Sequence, residues 1–351
     1  MKKYFYLSAA ALATLFATSC SSEDVPAPAD GDMTTFEVQL PDQLTTRFGE
    51  GQQATKLYVA VYEQGSTNLL FSNFIGEGND KNANSLDITK FTTGPKPTCK
   101  VSVPLVKGKA YDLVFFAQDA SSSAYSFSTA NQTMTVSYDG MTNFDEARDA
   151  FFGQIKNFTS GGQGDSVTLT RPFAQINIGT ADYQKYLNAS GLTAQTFGMK
   201  VSGVASTLNL LSGTVAEPAA NDAAATVALA GPSPDNTKLT VNGVAYDYLA
   251  MGYVLVGGNA TTQATLNVDL YVGNTTDVFA SYPSVPAQMN YRTNIFGDLL
   301  TNLENFNVTI DPNFNKQENN VAVWDGKTVT QPVETADAWV VSTPGQWVAL
   351  R

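Results

Sequence analysis

Lys56-Leu57-Tyr58-Val59-Ala60-Val61-Tyr62 is a run of strand-forming residues in which almost every position is apolar. A strand with one solvent-facing side alternates apolar and polar residues, so a continuous apolar run predicts burial on both faces. Such a strand is typical of the centre of a β-sandwich. Upstream, residues 34–40 do alternate and are followed by Pro41, which predicts a half-buried strand that ends there.

Turn signals on the downstream side predict how further strands are connected. Residues 101–105 and 111–117 are strand-like and are separated by a short link containing Gly108, which predicts a hairpin. A second hairpin is predicted at Asn242-Gly243, one of the strongest two-residue turn signals. Residues 167–178 are predicted to form two short strands with a bend at Arg171-Pro172.

The composition of the 351-residue chain is that of an all-β protein with two domains of ordinary size. Strand-forming and small polar residues dominate, and long Glu/Lys-rich stretches are missing from the sequence. We therefore predict two tandem β-sandwich domains, residues 34–180 and 181–315, with short helices near residues 144–152 and 181–187. Residues 217–236 are predicted to be a loop or a loosely held insertion.

Residues 1–19 have the form of a secretory signal, with two lysines, a short apolar run and small residues before Cys20. A cysteine at the cut is typical of a bacterial lipoprotein, in which Cys20 is acylated and becomes the new N-terminus. The acyl chains would hold the protein on the cell outer membrane, exposed at the surface. Residues 20–33 are predicted to be a flexible stalk. An ordinary cleaved signal with an incidental cysteine is the alternative.

Charge and residue usage argue against several classes of function. The net charge of −12 argues against nucleic acid as a partner, because the sequence has no stripe of basic residues that could displace counterions from phosphates. The sequence contains no histidine, so neither a histidine-based nucleophile system nor a histidine-ligated zinc site can be built. We expect no enzyme, no cofactor and no metal site. Cys99 is expected to pack as a small hydrophobe, without a disulfide.

Arg47 is the first basic residue after Cys20. A trypsin-like protease would therefore cut first between Arg47 and Phe48, and would separate the lipid, the stalk and the first strand from the rest. The alternative is an ordinary solvated arginine in a turn.

The C-terminal tail, residues 316–351, contains all three tryptophans of the chain. Residues 338–341 and 347–350 are apolar and strand-forming, and they are joined to the body by polar sequence. We expect these segments to dock either on their own domain or, by strand addition, on a neighbouring molecule.

These residues together resemble the fimbrillin-like lipoproteins of Bacteroidales, the subunits and relatives of type V pili. The resemblance covers most of the chain, and each motif is weak alone, but their order is fairly specific. The motifs are the signal ending at Cys20, residues 35–41, Thr46-Arg47, residues 56–62, residues 149–152, residues 169–177 (Leu-Thr-Arg-Pro-Phe-Ala-Gln-Ile-Asn) and residues 291–301.

The resemblance implies two transthyretin-like β-sandwich domains and assembly at the cell surface. In polymerising members a protease cuts after an arginine near the N-terminus, and the first strand is replaced by a strand of the next subunit. Arg47 and Phe48 match the cleavage site, and Phe36, Val38 and Leu40 lie in the strand that would be displaced. The residues in the position of the donor strand are Trp339, Val341, Trp347 and Ala349. The implied partners are other fimbrial subunits, the outer membrane and a host or bacterial surface ligand.

Several alternatives stay open from the sequence. The chain could be a non-polymerising anchor subunit that keeps its lipid and first strand, or a surface glycan-binding lipoprotein that stacks aromatic residues on sugar rings. Residues 340–350 also resemble the opening of a separate repeat domain, so the tail could be a remnant. Asp165-Ser166-Val167 fits a short O-glycosylation pattern, for which an unmodified serine in a turn is the alternative.

Overall fold

The computed structural model describes residues 33–41, 54–76, 91, 97–216, 224–232, 237–259, 261–273, 276–303, 306–311, 339–343 and 346–349. These residues form strands for the most part, which confirms the prediction of an all-β sandwich-type fold. The elements are β1 (Met33–Gln39), β2 (Lys56–Glu63), β3 (Leu69–Gly76), β4 (Thr98–Pro104), β5 (Ala110–Gln118), β6 (Tyr125–Ser128), β7 (Thr133–Val136), β8 (Phe151–Thr159), β9 (Ser166–Thr168), β10 (Phe173–Thr180), α1 (Tyr183–Ser190), β11 (Phe197–Ser202), β12 (Thr207–Asn209), β13 (Ala225–Ala230), β14 (Lys238–Val241), β15 (Val244–Leu255), β16 (Gln263–Val272), β17 (Ala280–Gln288), β18 (Arg292–Gly297), β19 (Phe306–Asp311), β20 (Trp339–Thr343) and β21 (Gln346–Ala349).

The N-terminal sandwich packs a four-stranded sheet of order β3-β2-β5-β8 against a three-stranded sheet of order β4-β1-β9. Apolar side chains from both sheets form one buried cluster between them. The alternating sequence of β1 matches this position, because Phe36 and Val38 point into the cluster while Glu37 and Gln39 are half-buried.

The predicted hairpin around Gly108 is wrong. Strand β4 pairs with β1, whereas β5 pairs with β2 and β8 in the other sheet. The physical reason lies in the burial of the two strands: β4 alternates buried and more exposed residues, whereas β5 is buried at every position after Ala110. A strand buried on both faces belongs inside a covered sheet, so the link at Gly108 crosses from one sheet to the other.

The second sandwich packs a five-stranded sheet of order β14-β15-β10-β18-β19 against a four-stranded sheet of order β13-β11-β16-β17. The predicted hairpin at Asn242-Gly243 is confirmed, since it joins the antiparallel strands β14 and β15. Both turn residues have positive φ, 49° and 78°, as a tight two-residue hairpin turn requires. The short helix expected near residues 181–187 is α1.

A third sheet, of order β12-β7-β6, covers the outer face of the four-stranded N-terminal sheet. The ring of Phe127 in β6 stacks on Tyr58 of β2 with a centroid distance of 4.2 Å. The ring of Phe116 in β5 meets the Phe127 ring edge-on at a centroid distance of 5.3 Å. Strand β2 is therefore buried on both faces, as its apolar run predicts. The buried cluster on this side continues into the second sandwich, so the two halves share apolar packing.

The sheets divide before Phe173 rather than after Thr180. Strand β10, placed by the sequence at the end of the first domain, lies between β15 and β18 of the second sandwich. Its eight residues are all buried, and a strand buried on both faces belongs to the sheet that covers it. The division of the chain into two independent domains stays a prediction.

Two further expectations need correction. The helical turns expected over residues 144–152 are a single 3-10 turn, Glu146–Arg148, because the following phenylalanines enter β8. The predicted loop over residues 217–236 contains strand β13, in which Ala225 and Val227 are buried against β11 while Thr226 is exposed.

Candidate functional site

Strand β1 lies at the centre of its sheet, with a neighbour along each edge. All seven of its residues are in antiparallel register with β4, from Met33 opposite Pro104 to Gln39 opposite Thr98. On the other side, residues 37–39 run parallel to β9. The N-terminal strand therefore completes the sheet, and its backbone groups hydrogen-bond in both directions.

Three side chains of this N-terminal segment fill the first sandwich. Phe36 and Val38 are 0% exposed and Leu40 is 1% exposed. The ring of Phe36 meets Phe158 edge-on at a centroid distance of 5.0 Å and lies 6.1 Å from Phe115. Fully burying each side chain of this size stabilises a fold by about 1.5–3 kcal/mol. The three together anchor β1 by several kcal/mol.

Cys99 lies directly opposite Val38 on β4 and faces the same core. Its side chain is almost fully shielded, and burial raises the pKa of the thiol to about 12. The expectation that Cys99 packs as a small hydrophobe is consistent with this position. Its shielding also makes Cys99 a reporter of the space that β1 fills.

The predicted lipidation and cleavage residues lie outside the described residues. Cys20 precedes β1, and Arg47 and Phe48 fall in the segment 42–53 that connects β1 to β2. Lipidation and cleavage at these positions stay predictions.

Ser166 opens strand β9, where it is exposed and lies opposite Glu37 of β1. It is thus an edge-strand residue beside the first strand rather than a turn residue. Its glycosylation stays a prediction.

The candidate donor residues fall on a two-stranded hairpin. Trp339 and Val341 lie in β20, Trp347 and Ala349 lie in β21, and the two strands are antiparallel with Trp339 opposite Ala349. The hairpin is a sheet of its own, and β20 approaches β19, the last strand of the five-stranded sheet. The structure thus pairs the two apolar tail segments with each other. Their role as donors stays a prediction.

A buried ion pair lies where the chain passes from the first sandwich to the second. The guanidinium of Arg171 donates to both carboxylate oxygens of Asp149, at 2.7 and 2.8 Å, and lies 4.7 Å from the ring centroid of Phe151. Both charged side chains are almost completely shielded. Because Arg171 follows β9 and precedes β10, the pair fixes the point where the chain passes from one sandwich to the other.

The residues that line the space around β1 were not predicted from the sequence. Phe115 and Phe158 form the surroundings of the Phe36 ring, and Gly164 lies against the backbone of β1. The glycine-rich run 161–164 was the one available signal for this contact. Nothing in the sequence pairs Phe158 with Phe36, because the two residues are far apart along the chain.

Within the described part of the chain, no group of three or more His, Cys, Asp or Glu side chains is arranged to hold a metal ion. No helix in the same residues has the length and apolar character needed to cross a membrane.

Several solved structures are similar to this chain. A fimbrial assembly protein from Parabacteroides distasonis is 13% identical, with a TM-score of 0.41 over 79% of this chain and 95% of that one. A proposed adhesin from Bacteroides ovatus is 12% identical, with a TM-score of 0.43 over 79% and 92%. A proposed cell adhesion protein from Bacteroides uniformis is 13% identical, with a TM-score of 0.42 over 85% and 99%.

A search of curated proteins finds no match. The model of one protein family does match, over residues 28–334, from the stalk to the tail. The chain therefore belongs to that family, described as the family of unknown function DUF6562.

Proposed function

We propose that this protein is a lipid-borne structural subunit or adhesin of a surface fimbria. In this proposal a protease cuts after Arg47, β1 leaves with the lipid, and a strand of another copy takes its place. The observation that carries the proposal is the position of β1. It is a central strand whose inward side chains are fully buried, and it lies ahead of the first basic residue of the mature chain, so one cut separates it from the rest.

Loss of β1 would create a strong acceptor for a strand. The inward side of β4 and the rings of Phe115 and Phe158 would lose their apolar partner. The facing edges of β4 and β9 would lose their hydrogen bonds. Unpaired strand edges beside an apolar groove bind an added strand, with backbone hydrogen bonds giving affinity and side-chain pockets giving selectivity.

The tail of the chain contains a segment with the spacing of β1. Residues 36–41 read Phe-Glu-Val-Gln-Leu-Pro, and residues 339–344 read Trp-Val-Val-Ser-Thr-Pro. Both have an aromatic residue, a valine two positions later and a proline after three more. In this register Trp339 would occupy the place of Phe36, and Val341 the place of Val38.

The hairpin β20–β21 must open before its first strand can serve as a donor. An isolated two-stranded hairpin is at best marginally stable in water, so its opening costs little. Insertion as a central strand between β4 and β9 would replace one neighbouring strand with two.

Polymer formation by purified protein tests this proposal. A chain that begins at Phe48 should form ladders on a gel run under mild conditions, whereas a chain that begins at Ser21 and keeps β1 should run as a monomer. Removal of residues 340–351 from the Phe48 chain should abolish the ladders. A Phe48 chain that stays monomeric at high concentration would contradict strand exchange. N-terminal sequencing of the protein from cells then tests the cut itself, with a free Phe48 expected.

A further inference from the structure

Along the edge that faces away from β4, β1 is covered by one continuous segment, residues 160–168, which we call the glycine strap. The backbone N–H of Gly164 donates to the carbonyl of Thr35 at 3.1 Å. Beyond it, residues 166–168 form β9 and pair with residues 37–39. Just past the strap, the N–H of Leu169 donates to the carbonyl of Gln39 at 2.8 Å. The strap therefore follows β1 from one end to the other.

The backbone of each end of the strap is fixed to parts of the fold other than β1, and the contact of one end with β1 is between the hydroxyl groups of Ser160 and Thr34, 3.5 Å apart. At its start, the backbone of Ser160 bonds the turn before β5, with Gly108 N–H donating at 2.6 Å and Lys109 C=O accepting at 2.9 Å. After its end, Thr170 and Phe152 exchange two backbone hydrogen bonds of 2.8 and 2.9 Å. These attachments do not depend on β1, so they would persist when β1 leaves.

The middle of the strap is built to move. Residues 161–163 are exposed and two of them are glycines, which rotate more freely than any other residue. Strand β9 has only three residues, and its inward side chain, Val167, packs beside Gly153 of β8. Fixed ends, a glycine-rich middle and a short ladder are the features that allow a segment to swing as a unit.

The close contact between the strap and β1 is possible because residue 164 is a glycine and has no side chain. A Cβ atom at this residue would lie 2.5 Å from the carbonyl oxygen of Thr35 and 2.8 Å from a ring carbon of Phe36. Neither distance is tolerable for a real Cβ atom. A Cβ atom at Gly162, two residues earlier in the same run, would have no heavy atom within 4 Å.

We propose that the glycine strap is a gate that sets how fast a strand enters or leaves the β1 position. When the strap is closed, its hydrogen bonds and the close fit at Gly164 hold the strand on the side opposite β4. When it swings outward, the backbone of β1 is paired with β4 alone, and the strand can exchange once its core side chains withdraw. This inference rests on the proposed function only in that β1 is taken to be exchangeable.

Strand exchange can be measured without the natural cut or polymer formation. A site for a sequence-specific protease is placed within residues 42–53, the protein is cut, and β1 remains bound by its contacts. Release is followed by fluorescence anisotropy as a labelled peptide of residues 33–41 replaces β1. Ladders play no part in this readout, so failure of the gate and failure of polymer formation are separate results.

The first comparison is Gly164→Ala against Gly162→Ala. Alanine at residue 164 prevents full closure, so we expect exchange about tenfold faster or more. Alanine at residue 162 has the same chemistry in the same run without a contact, so exchange should match that of the unaltered strap. Equal rates for the two folded variants would overturn the proposal.

Hydrogen exchange of the unaltered chain beginning at Ser21 gives an independent test if Gly164→Ala does not fold. The amides of Gly164 and Leu169 donate to carbonyls of the N-terminal strand, whereas those of Ser160 and Thr170 donate to Lys109 and Phe152. A strap that swings away from β1 breaks the first pair of bonds and keeps the second pair. We expect the amides of Gly164 and Leu169 to exchange with deuterium at least tenfold faster than those of Ser160 and Thr170, measured by nuclear magnetic resonance. Equal protection of the two pairs would overturn the proposal.

Discussion

Replacement of Phe36 by alanine should destabilise the protein severely, because β1 supplies part of the core although it is the first strand of the fold. Phe36 is 0% exposed, and its ring packs at 5.0 Å from Phe158 and 6.1 Å from Phe115. Truncation of a buried phenylalanine costs about 3–5 kcal/mol, through lost burial and the cavity left behind. A typical domain is stable by about 5–15 kcal/mol, so a large fraction of the stability should disappear.

The matched control is Glu37→Ala, at the next position of the same strand. Glu37 is half-buried, and the one hydrogen bond described for its side chain comes from Gln39 at 2.7 Å. Its loss should cost less than about 1 kcal/mol. Urea unfolding followed by circular dichroism measures both free energies. Equal and small losses for the two variants would refute the reasoning, because they would mean that β1 contributes no core packing.

Three other measurements test separate parts of the structure. Asp149→Asn should reduce the free energy of unfolding by about 3 kcal/mol, measured by the same urea titration, because it leaves Arg171 buried beside a neutral partner; an unchanged value would contradict the importance of the pair. Burial raises the pKa of Tyr62 from 10.0 to about 12, so the stability that the neutral phenol contributes is complete below pH 10 and is lost as the pH rises to 12. The loss of folded protein over this pH range, followed by circular dichroism, should therefore be smaller in Tyr62→Phe. The same loss in both proteins would contradict this assignment. In a chain that begins at Phe48, Trp339→Ala should weaken ladder formation on mild gels more than Trp347→Ala if Trp339 takes the place of Phe36, whereas equal effects would contradict that register.

The sequence predicts those features that depend on local pattern. The apolar run of β2 predicts burial on both faces, and the positive φ values at Asn242 and Gly243 agree with the hairpin expected there. Strand β1 and the bend at Arg171 follow from alternation and from a proline, which are also local signals.

The features that the sequence does not predict depend on long-range choices. The link at Gly108 suits a hairpin and a crossing between sheets equally well, and the burial of β5 on both faces decides between them. Strand β10 carries no mark of the sheet that it joins. The proximity of Phe158 to Phe36 arises only when the two sheets pack, and the need for glycine at residue 164 appears only against the backbone of β1.

We propose that β1 fills a space that a strand of another copy can fill instead. The rate at which a reagent labels the Cys99 thiol tests this replacement. Cys99 is the one cysteine in chains that begin at Ser21 or Phe48, and it lies opposite Val38 of β1. We expect slow labelling by a thiol reagent in the Ser21 chain. In the Phe48 chain with residues 340–351 removed, we expect fast labelling that becomes slow again on addition of a peptide of residues 338–350. Equal labelling of the two chains, or a peptide without effect, would contradict the proposal.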